Sequence, residues 1–165
     1  MCFVAFSKIL GAYPVIMIGR REERLKLANE LGADFIINNT RENVKNKVLE
    51  YTNGTGATHI IIALDNYNLI NDTFSYMQKD GKIGIYGVSY PPKFNLNWEN
   101  APASWSLGAM HYDERDAHQQ VVDSIKLGFI NPKKFYSHIV SLDDINDGFQ
   151  LIEEKKALKV VVKMK

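Results

Sequence analysis

The chain has 165 residues, which is enough for one domain with a substantial buried core. Its 20 lysines and arginines balance 19 acidic residues, so the composition gives no argument for nucleic acid or an anionic membrane as a partner. The single cysteine, Cys2, excludes an intramolecular disulfide and a cysteine-based zinc site. Together with the absence of a basic signal-peptide start and of a bilayer-spanning apolar run, it predicts a cytoplasmic protein.

Residues 14–32 form the unit relative to which the other elements can be placed. Residues 15–18 are an apolar run too short for a helix, which predicts a strand covered on both faces. Gly19 ends this strand, and Gly32 ends the segment after it. That segment carries the apolar stripe of a helix at Leu25, Ala28 and Leu31. Upstream, residues 1–10 are nearly all apolar and predict a helix packed on a sheet.

Strands and helices alternate through the rest of the chain. Further strands are predicted at residues 35–38, 59–64, 82–88, 105–110 (an edge strand), 135–140 and 159–163. Among the intervening helices, Thr40 is expected to cap the one that follows the second strand. A helix over residues 69–77 should close with a turn at 79–81, and S-x-x-D at 141–144 fits a capping box. This alternation predicts an α/β fold with a doubly wound, Rossmann-type, mostly parallel sheet.

Arg20 and Arg21 follow the first of these strands, at the sheet edge where doubly wound folds bind ligands. In dinucleotide-binding folds an acidic residue at this strand end holds the ribose 2′-OH of NAD, whereas an arginine nearby accommodates the 2′-phosphate of NADP. Gly19 occupies the acidic position and leaves space, and a guanidinium matches a phosphate bidentately. The pattern favours NADP, with NAD as the alternative. The competing interpretation is two solvated arginines at a helix start, where the helix dipole mildly disfavours them.

Other candidate motifs carry weaker signals. The G-x-G at residues 54–56 follows a helix and precedes a strand, which is the wrong order for a phosphate loop. Residues 111–118 contain two histidines and three acids, but their spacing matches no metal motif, and acids suit a helix N-terminus electrostatically. No serine has the glycine-flanked elbow of a hydrolase nucleophile. The chain itself is therefore expected to supply neither catalytic nor metal-binding residues.

The order of these motifs resembles a known family. The runs KILGAYPVIMIGRREERLKLANELGAD, YTNGTGATHIIIALD and DGKIGIYG are similar to the cofactor-binding half of zinc-type medium-chain alcohol and polyol dehydrogenases. The tail SHIVSLDDINDGFQLIEEKKALKVVVKM resembles the closing segment of the same family. The resemblance implies a truncated dinucleotide-binding domain over residues 1–130 and a segment returning to the catalytic domain over residues 131–165.

The resemblance also implies which positions contact the cofactor. They comprise the 2′-phosphate turn, the adenosine side, the main chain beside the nicotinamide carboxamide and a basic residue that reaches the pyrophosphate. In that order they are Gly19, Arg20 and Arg21; Ala63 and Leu64; Gly87 and Val88; and Lys159. For Lys159, a solvated lysine at a strand start is the equally weighted alternative.

Several parts of the family pattern do not occur in this sequence. The first strand of the cofactor domain and its G-x-G-x-x-G loop would lie before Met1, as would the domain that holds the catalytic zinc. In the order 3-2-1-4-5-6 that first strand is central, so two strands on one side and three on the other would lose their shared neighbour. The exposed apolar edges would favour pairing between chains. Cofactor binding is expected to be weak, because the glycine amides that cradle the pyrophosphate are missing.

The resemblance implies a fragment of an NADP(H)-preferring, zinc-dependent alcohol or polyol dehydrogenase, inactive as an isolated chain. The complete enzyme would transfer hydride between the cofactor and an alcohol or carbonyl, and would form a homo-oligomer through edge strands. Trp98 and Trp105, near the predicted edge strand, would pack at that interface or fill the core. Two alternatives remain open: a non-catalytic nucleotide-binding or dimerising module, and a zinc-free reductase that resembles quinone reductases.

Overall fold

The computed structural model describes residues 1–87, 95–109 and 114–164. Helices and strands alternate along them in the order α1 (Cys2–Ile9), β1 (Ile16–Gly19), α2 (Glu22–Glu30), β2 (Phe35–Asn38), α3 (Val44–Tyr51), β3 (Ala57–Ile62), α4 (Leu69–Thr73), β4 (Met77–Ile85), β5 (Trp105–Ala109), α5 (Glu114–Lys126), β6 (His138–Ser141), α6 (Ile145–Glu153) and β7 (Val160–Lys163). Short 3₁₀ turns cover Trp98–Asn100 and Pro132–Phe135. Every strand pair is parallel, which confirms the predicted α/β class.

The strands of the described residues form three sheets. β1 pairs with β2, from Ile16 opposite Phe35 to Gly19 opposite Asn38. β4 lies between β3 and β5, and β6 pairs with β7. Within the described ranges no strand joins β1 to β3, so the expected division into two strands and three strands is what the structure has.

Two of the sheets carry their own hydrophobic cores. The core of the β3–β4–β5 sheet is a cluster of buried side chains: Ile62, Tyr67, Ile70, Phe74, Met77 and Ile83. The core beside β1 and β2 is smaller and consists of Val4, Ala28 and Ala33 with half-buried neighbours. α1 touches both regions, because Val4 belongs to the second core while the Phe3 ring meets Tyr86 edge-on at 4.8 Å. The apolar N-terminal helix therefore links the two sheets.

Asp34 fixes the end of α1 to the starts of β1 and β2. Its carboxylate accepts hydrogen bonds from Lys8 Nζ at 2.9 and 3.0 Å and from the Val15 amide at 2.7 Å. Burial raises the pKa of this carboxyl, but the bonds from Val15 and Lys8 outweigh it, so that the pKa of Asp34 lies below its ordinary value. The ionised form is therefore the one that holds the three elements together.

The structure corrects several predicted element boundaries, among them the strands expected at 59–64, 82–88 and 135–140, which lie at 57–62, 77–85 and 138–141. Thr40 does not cap α3: the cap is Asn43, whose side chain accepts from the Asn46 amide at 2.9 Å, while the Thr40 hydroxyl donates to Asn38 at 2.7 Å. Met77 begins β4 and does not belong to the preceding helix, which ends at Thr73. Residues 79–81, where a turn was expected, lie within β4, and the pairing register between β4 and β3 shifts at these residues.

The capping box predicted at residues 141–144, before α6, forms in part. The Asp144 amide donates to Ser141 Oγ at 3.2 Å, and that hydroxyl donates to the Asp144 carboxylate at 2.6 Å. The regular helix begins one residue later, at Ile145. The described helices include none with the length and apolarity that a membrane crossing requires.

Candidate cofactor-binding edge

The carboxyl ends of β1 and β2 bring the two arginines to one edge of the sheet. Gly19 and Asn38 are the last paired residues of the two strands, so the segments after them begin side by side. Arg20 is exposed and Arg21 half-buried, and the Arg21 carbonyl accepts the Arg24 and Leu25 amides at 3.0 Å, which starts α2. Among the described residues neither guanidinium has a hydrogen-bond or ion-pair partner. Both charges are therefore available to an anion.

Packing against Leu25 also favours glycine at position 19. A Cβ at Gly19 would lie 3.3 Å from Leu25 Cδ2 and 3.8 Å from Leu25 Cγ, and Leu25 is fully buried. A larger residue would have to displace a core side chain by a few tenths of an ångström. The glycine thus keeps an acidic side chain out of the position that would hold a 2′-hydroxyl.

The acids at this edge are engaged by the protein itself. Glu22 Oε1 accepts from Asn38 Nδ2 at 2.6 Å and from Arg41 Nη1 at 3.0 Å. A carboxylate oxygen of Glu42 accepts the Asn38 amide at 2.7 Å. This cluster was not among the contacts predicted from the sequence. The polar run at residues 38–42, directly after a strand end, was the signal that could have located it.

Ala63, Leu64 and Gly87 lie at the corresponding edge of the β3–β4–β5 sheet. Ala63 and Leu64 follow β3, and the Ile62 carbonyl accepts the amides of Tyr86 at 2.9 Å and Gly87 at 3.1 Å. A Cβ on Gly87 would overlap the Leu64 main chain, whose nitrogen would be 2.8 Å away. The main chain of Leu64 therefore approaches Gly87 so closely that no larger residue fits there without a backbone shift. Val88 lies outside the described residues.

Lys159 stands apart from these groups. It is exposed just before β7, and its carbonyl accepts the Ser137 amide at 3.0 Å. The structure gives no contact between its ammonium group and the described parts of the edge, so its pyrophosphate role stays a prediction.

A basic cleft joins the edge to the C-terminal segment. It has a volume of about 510 Å³ and lies between α2 and the turn after α6. Arg24 donates to the Ala157 carbonyl at 2.7 Å across its floor. Burial lowers the pKa of Arg24, and the positive charge of Arg21 lowers it further against the opposing effect of Glu23. The cationic lining of the cleft consists of Arg21, Arg24, Lys155 and Lys156.

The described residues contain no group of three or more histidine, cysteine or acidic side chains that could hold a metal. Of the cluster noted at residues 111–118, His111 and Asp113 lie outside the described ranges. Glu114, Asp116 and His118 are exposed on α5. Nothing in the described geometry therefore assembles a zinc site.

Comparison with known proteins places this arrangement in a family. A family model described as zinc-binding dehydrogenase matches residues 1–124. The chain is 26% identical over 168 residues to L-threonine 3-dehydrogenase of Pyrococcus abyssi, covering 98% of this chain and 47% of that protein. It is 24% identical over 164 residues to YdjL of Escherichia coli K12, an uncharacterised zinc-type alcohol dehydrogenase-like protein, covering 96% of this chain and 45% of that one.

Solved structures agree on the fold. Alcohol dehydrogenase TADH from Thermus sp. ATN1 superposes with a TM-score of 0.87 at 24% identity, covering 98% of this chain and 47% of that one. The alcohol dehydrogenase TM0436 of Thermotoga maritima gives 0.87, also at 24% identity, covering 98% of this chain and 46% of that one. The chain thus spans about half the length of the curated relatives it matches. Because the family model covers well over half of its residues, the chain belongs to the zinc-binding dehydrogenase family.

Proposed function

We propose that this chain is the cofactor-binding portion of a zinc-dependent alcohol or polyol dehydrogenase that prefers NADP(H). The observation that carries the proposal is the pair of unpartnered guanidinium groups, Arg20 and Arg21, beside a glycine at the position of the NAD-binding acid. A 2′-phosphate placed there would gain charge-assisted bonds from both. The absence of a side chain on Gly19 fits this ligand better than the diol of NAD.

In this proposal, each group of residues along the edge contacts a different part of the cofactor. Arg20 and Arg21 bind the 2′-phosphate, and Ala63 and Leu64 line the adenosine side. Main-chain groups at Gly87 and Val88 orient the nicotinamide carboxamide, and Lys159 neutralises the pyrophosphate. The bound nicotinamide supplies hydride transfer, and the residues of this chain bind and orient it. The described residues do not fit a zinc ion, so its ligands would have to come from other polypeptide.

Two further parts of the proposal concern assembly. The segment over residues 131–165 would return to a catalytic domain, as the separate β6–β7 sheet allows. Homo-oligomers would form through β5, which lies at a sheet edge and is exposed over most of its length. Trp105 packs against Phe74 at 4.8 Å and so belongs to the core, whereas Trp98 is 69% exposed and available to a second copy.

A second candidate is a nucleotide-binding module without turnover of its own. The observation that favours it is the combination of an available dinucleotide edge with the lack of a metal-ligand group in the described residues. The zinc-free reductase alternative rests on the same observation. The absence of NADP or NAD binding by the chain would exclude the module.

Isothermal titration of the 165-residue chain with NADP and with NAD tests the proposal. Replacing Arg20 and Arg21 by alanine should weaken NADP binding by about tenfold for each arginine, because each removes a charge-assisted bond to the phosphate. NAD affinity should change less than about twofold, since NAD lacks that phosphate. Lys126→Ala, an exposed cation at the end of α5, is the matched control. An unchanged ratio of NADP affinity to NAD affinity in the double variant would refute the proposed role of the two arginines.

A further inference from the structure

We propose that Arg41 is a specificity-determining residue, which makes the edge accept a phosphomonoester by neutralising the carboxylate of Glu22. The inference rests on the proposed function, since it concerns the same cofactor edge. Arg41 does not need to touch the ligand to act in this way. Its effect is to change the charge that the ligand meets.

Glu22 occupies a position that matters for an anionic ligand. It is the first residue of α2 and follows Arg20 and Arg21 directly. An unpaired carboxylate there would repel a phosphate dianion and would accept ribose hydroxyls, which is the chemistry of the acid found in NAD-binding folds. The 3.0 Å ion pair with Arg41 offsets that charge.

Asn38 holds Arg41 in place. Its side chain is buried, donates to Glu22 Oε1 at 2.6 Å and accepts the Thr40 amide at 3.1 Å and the Thr40 hydroxyl at 2.7 Å. Its main-chain amide donates to Glu42 at 2.7 Å. These bonds fix the loop that carries Arg41 against the start of α2. The pairing of Arg41 with Glu22 therefore belongs to a defined cluster and is more than a chance contact of two surface side chains.

The charge balance of the edge depends on this one residue. The edge carries three arginines and two glutamates, so its net charge is positive; the residues are Arg20, Arg21, Arg41, Glu22 and Glu42. Without Arg41 the two acids cancel the two remaining arginines. Glu23 and Arg24, which line the adjoining cleft together with Arg21, add one negative and one positive charge and so leave the comparison unchanged. An edge without net positive charge would no longer favour the dianionic phosphate over the neutral diol.

The pair itself contributes little to folding. The side chains of Arg41 and Glu22 are 72% and 43% exposed, and exposed ion pairs are worth little to stability. Arg41→Ala should therefore leave the urea midpoint unchanged. A change in cofactor affinity would then report on the edge and not on unfolding.

Titration of the 165-residue chain with NADP and NAD tests the inference in three variants. Arg41→Ala should lower NADP affinity about two- to fivefold and leave NAD affinity unchanged or slightly higher. Glu22→Gln in the Arg41→Ala background should restore most of the loss, because no carboxylate remains to be neutralised. Lys45→Ala, an exposed cation on α3, is the matched control and should change neither affinity.

The outcomes separate this inference from the proposed function. If the unmodified chain shows no preference for NADP over NAD, the proposed function fails first. If the preference exists but Arg41→Ala keeps it, or loses both cofactors equally, the role of Arg41 is refuted. Failure of Glu22→Gln to restore affinity would also refute it, because Arg41 would then act by direct contact and not through Glu22.

Discussion

Replacing Gly87 by alanine should destabilise the sheet at the candidate cofactor edge. The added Cβ would lie 2.8 Å from the Leu64 nitrogen and closer still to the Leu64 carbonyl. Main-chain atoms cannot rotate away as a side chain can, so the two backbones must separate. The bonds that the Tyr86 and Gly87 amides donate to the Ile62 carbonyl, at 2.9 and 3.1 Å, would weaken as they do. Overpacking of this kind costs about 1–3 kcal/mol.

Urea unfolding of the 165-residue chain measures this cost. Gly108→Ala is the matched control, because Gly108 lies on the neighbouring strand β5 and a Cβ there meets nothing within 4 Å. We expect Gly87→Ala to lose about 2 kcal/mol of unfolding free energy. Gly108→Ala should be neutral or gain up to about 1 kcal/mol, through reduced entropy of the unfolded chain. Equal stability of Gly87→Ala and the unmodified chain, or equal losses in both variants, would refute the argument from close packing.

Three further predictions concern stability. Asp34→Asn should cost about 1–2 kcal/mol in urea unfolding at pH 7, because it weakens the bonds from Lys8 and Val15. Folding lowers the pKa of Asp34, so its contribution to the free energy of unfolding is present at pH values above the pKa that this carboxyl has in the unfolded chain. That contribution is lost as the pH falls through the pKa of the folded chain, and Asp34→Asn should not show this loss in acid. Lys155 lies two residues past the end of α6 at a φ of 61°, so Lys155→Gly should raise stability by about 1 kcal/mol and the thermal midpoint with it. Burial, and to a smaller extent the charge of Asp72, raises the pKa of Tyr76 to about 12, so stability should fall between pH 10 and 12 in the unmodified chain but less in Tyr76→Phe.

Elements that local sequence determines were predicted well. β2 occupies residues 35–38 as expected, because a short apolar run bounded by polar residues has no other regular structure open to it. The division of the sheet followed from the family's strand order, which the resemblance implied, and not from local patterns. Thr40 and Met77 were misplaced, because the local sequence at each position fits more than one structure and a tertiary contact decides between them. For Thr40 the contact is its hydrogen bond to the buried side chain of Asn38, and for Met77 it is the pairing of β4 with β3.

The site was predictable only where a single segment builds it. Gly19, Arg20 and Arg21 are consecutive, so their common position follows from one strand end. The pairing of Glu22 with Arg41 depends on the register of β1 against β2, and the Arg24 bond to Ala157 joins residues 133 positions apart. No local pattern encodes such contacts. The cofactor roles of the predicted residues stay predictions.

The separation of the strands into sheets with their own cores bears on how cooperatively the molecule opens. Within the described residues, no ladder hydrogen bond of one sheet has to break when another opens, and α1 touches both the β1–β2 region and the β3–β4–β5 region. Local opening energies can then differ between the two sides. In the proposed function, a dinucleotide with its 2′-phosphate at Arg20 and Arg21 and its nicotinamide end at Gly87 would bind only when both sides are closed. Binding of the cofactor would therefore make the two regions open together, as one cooperative unit.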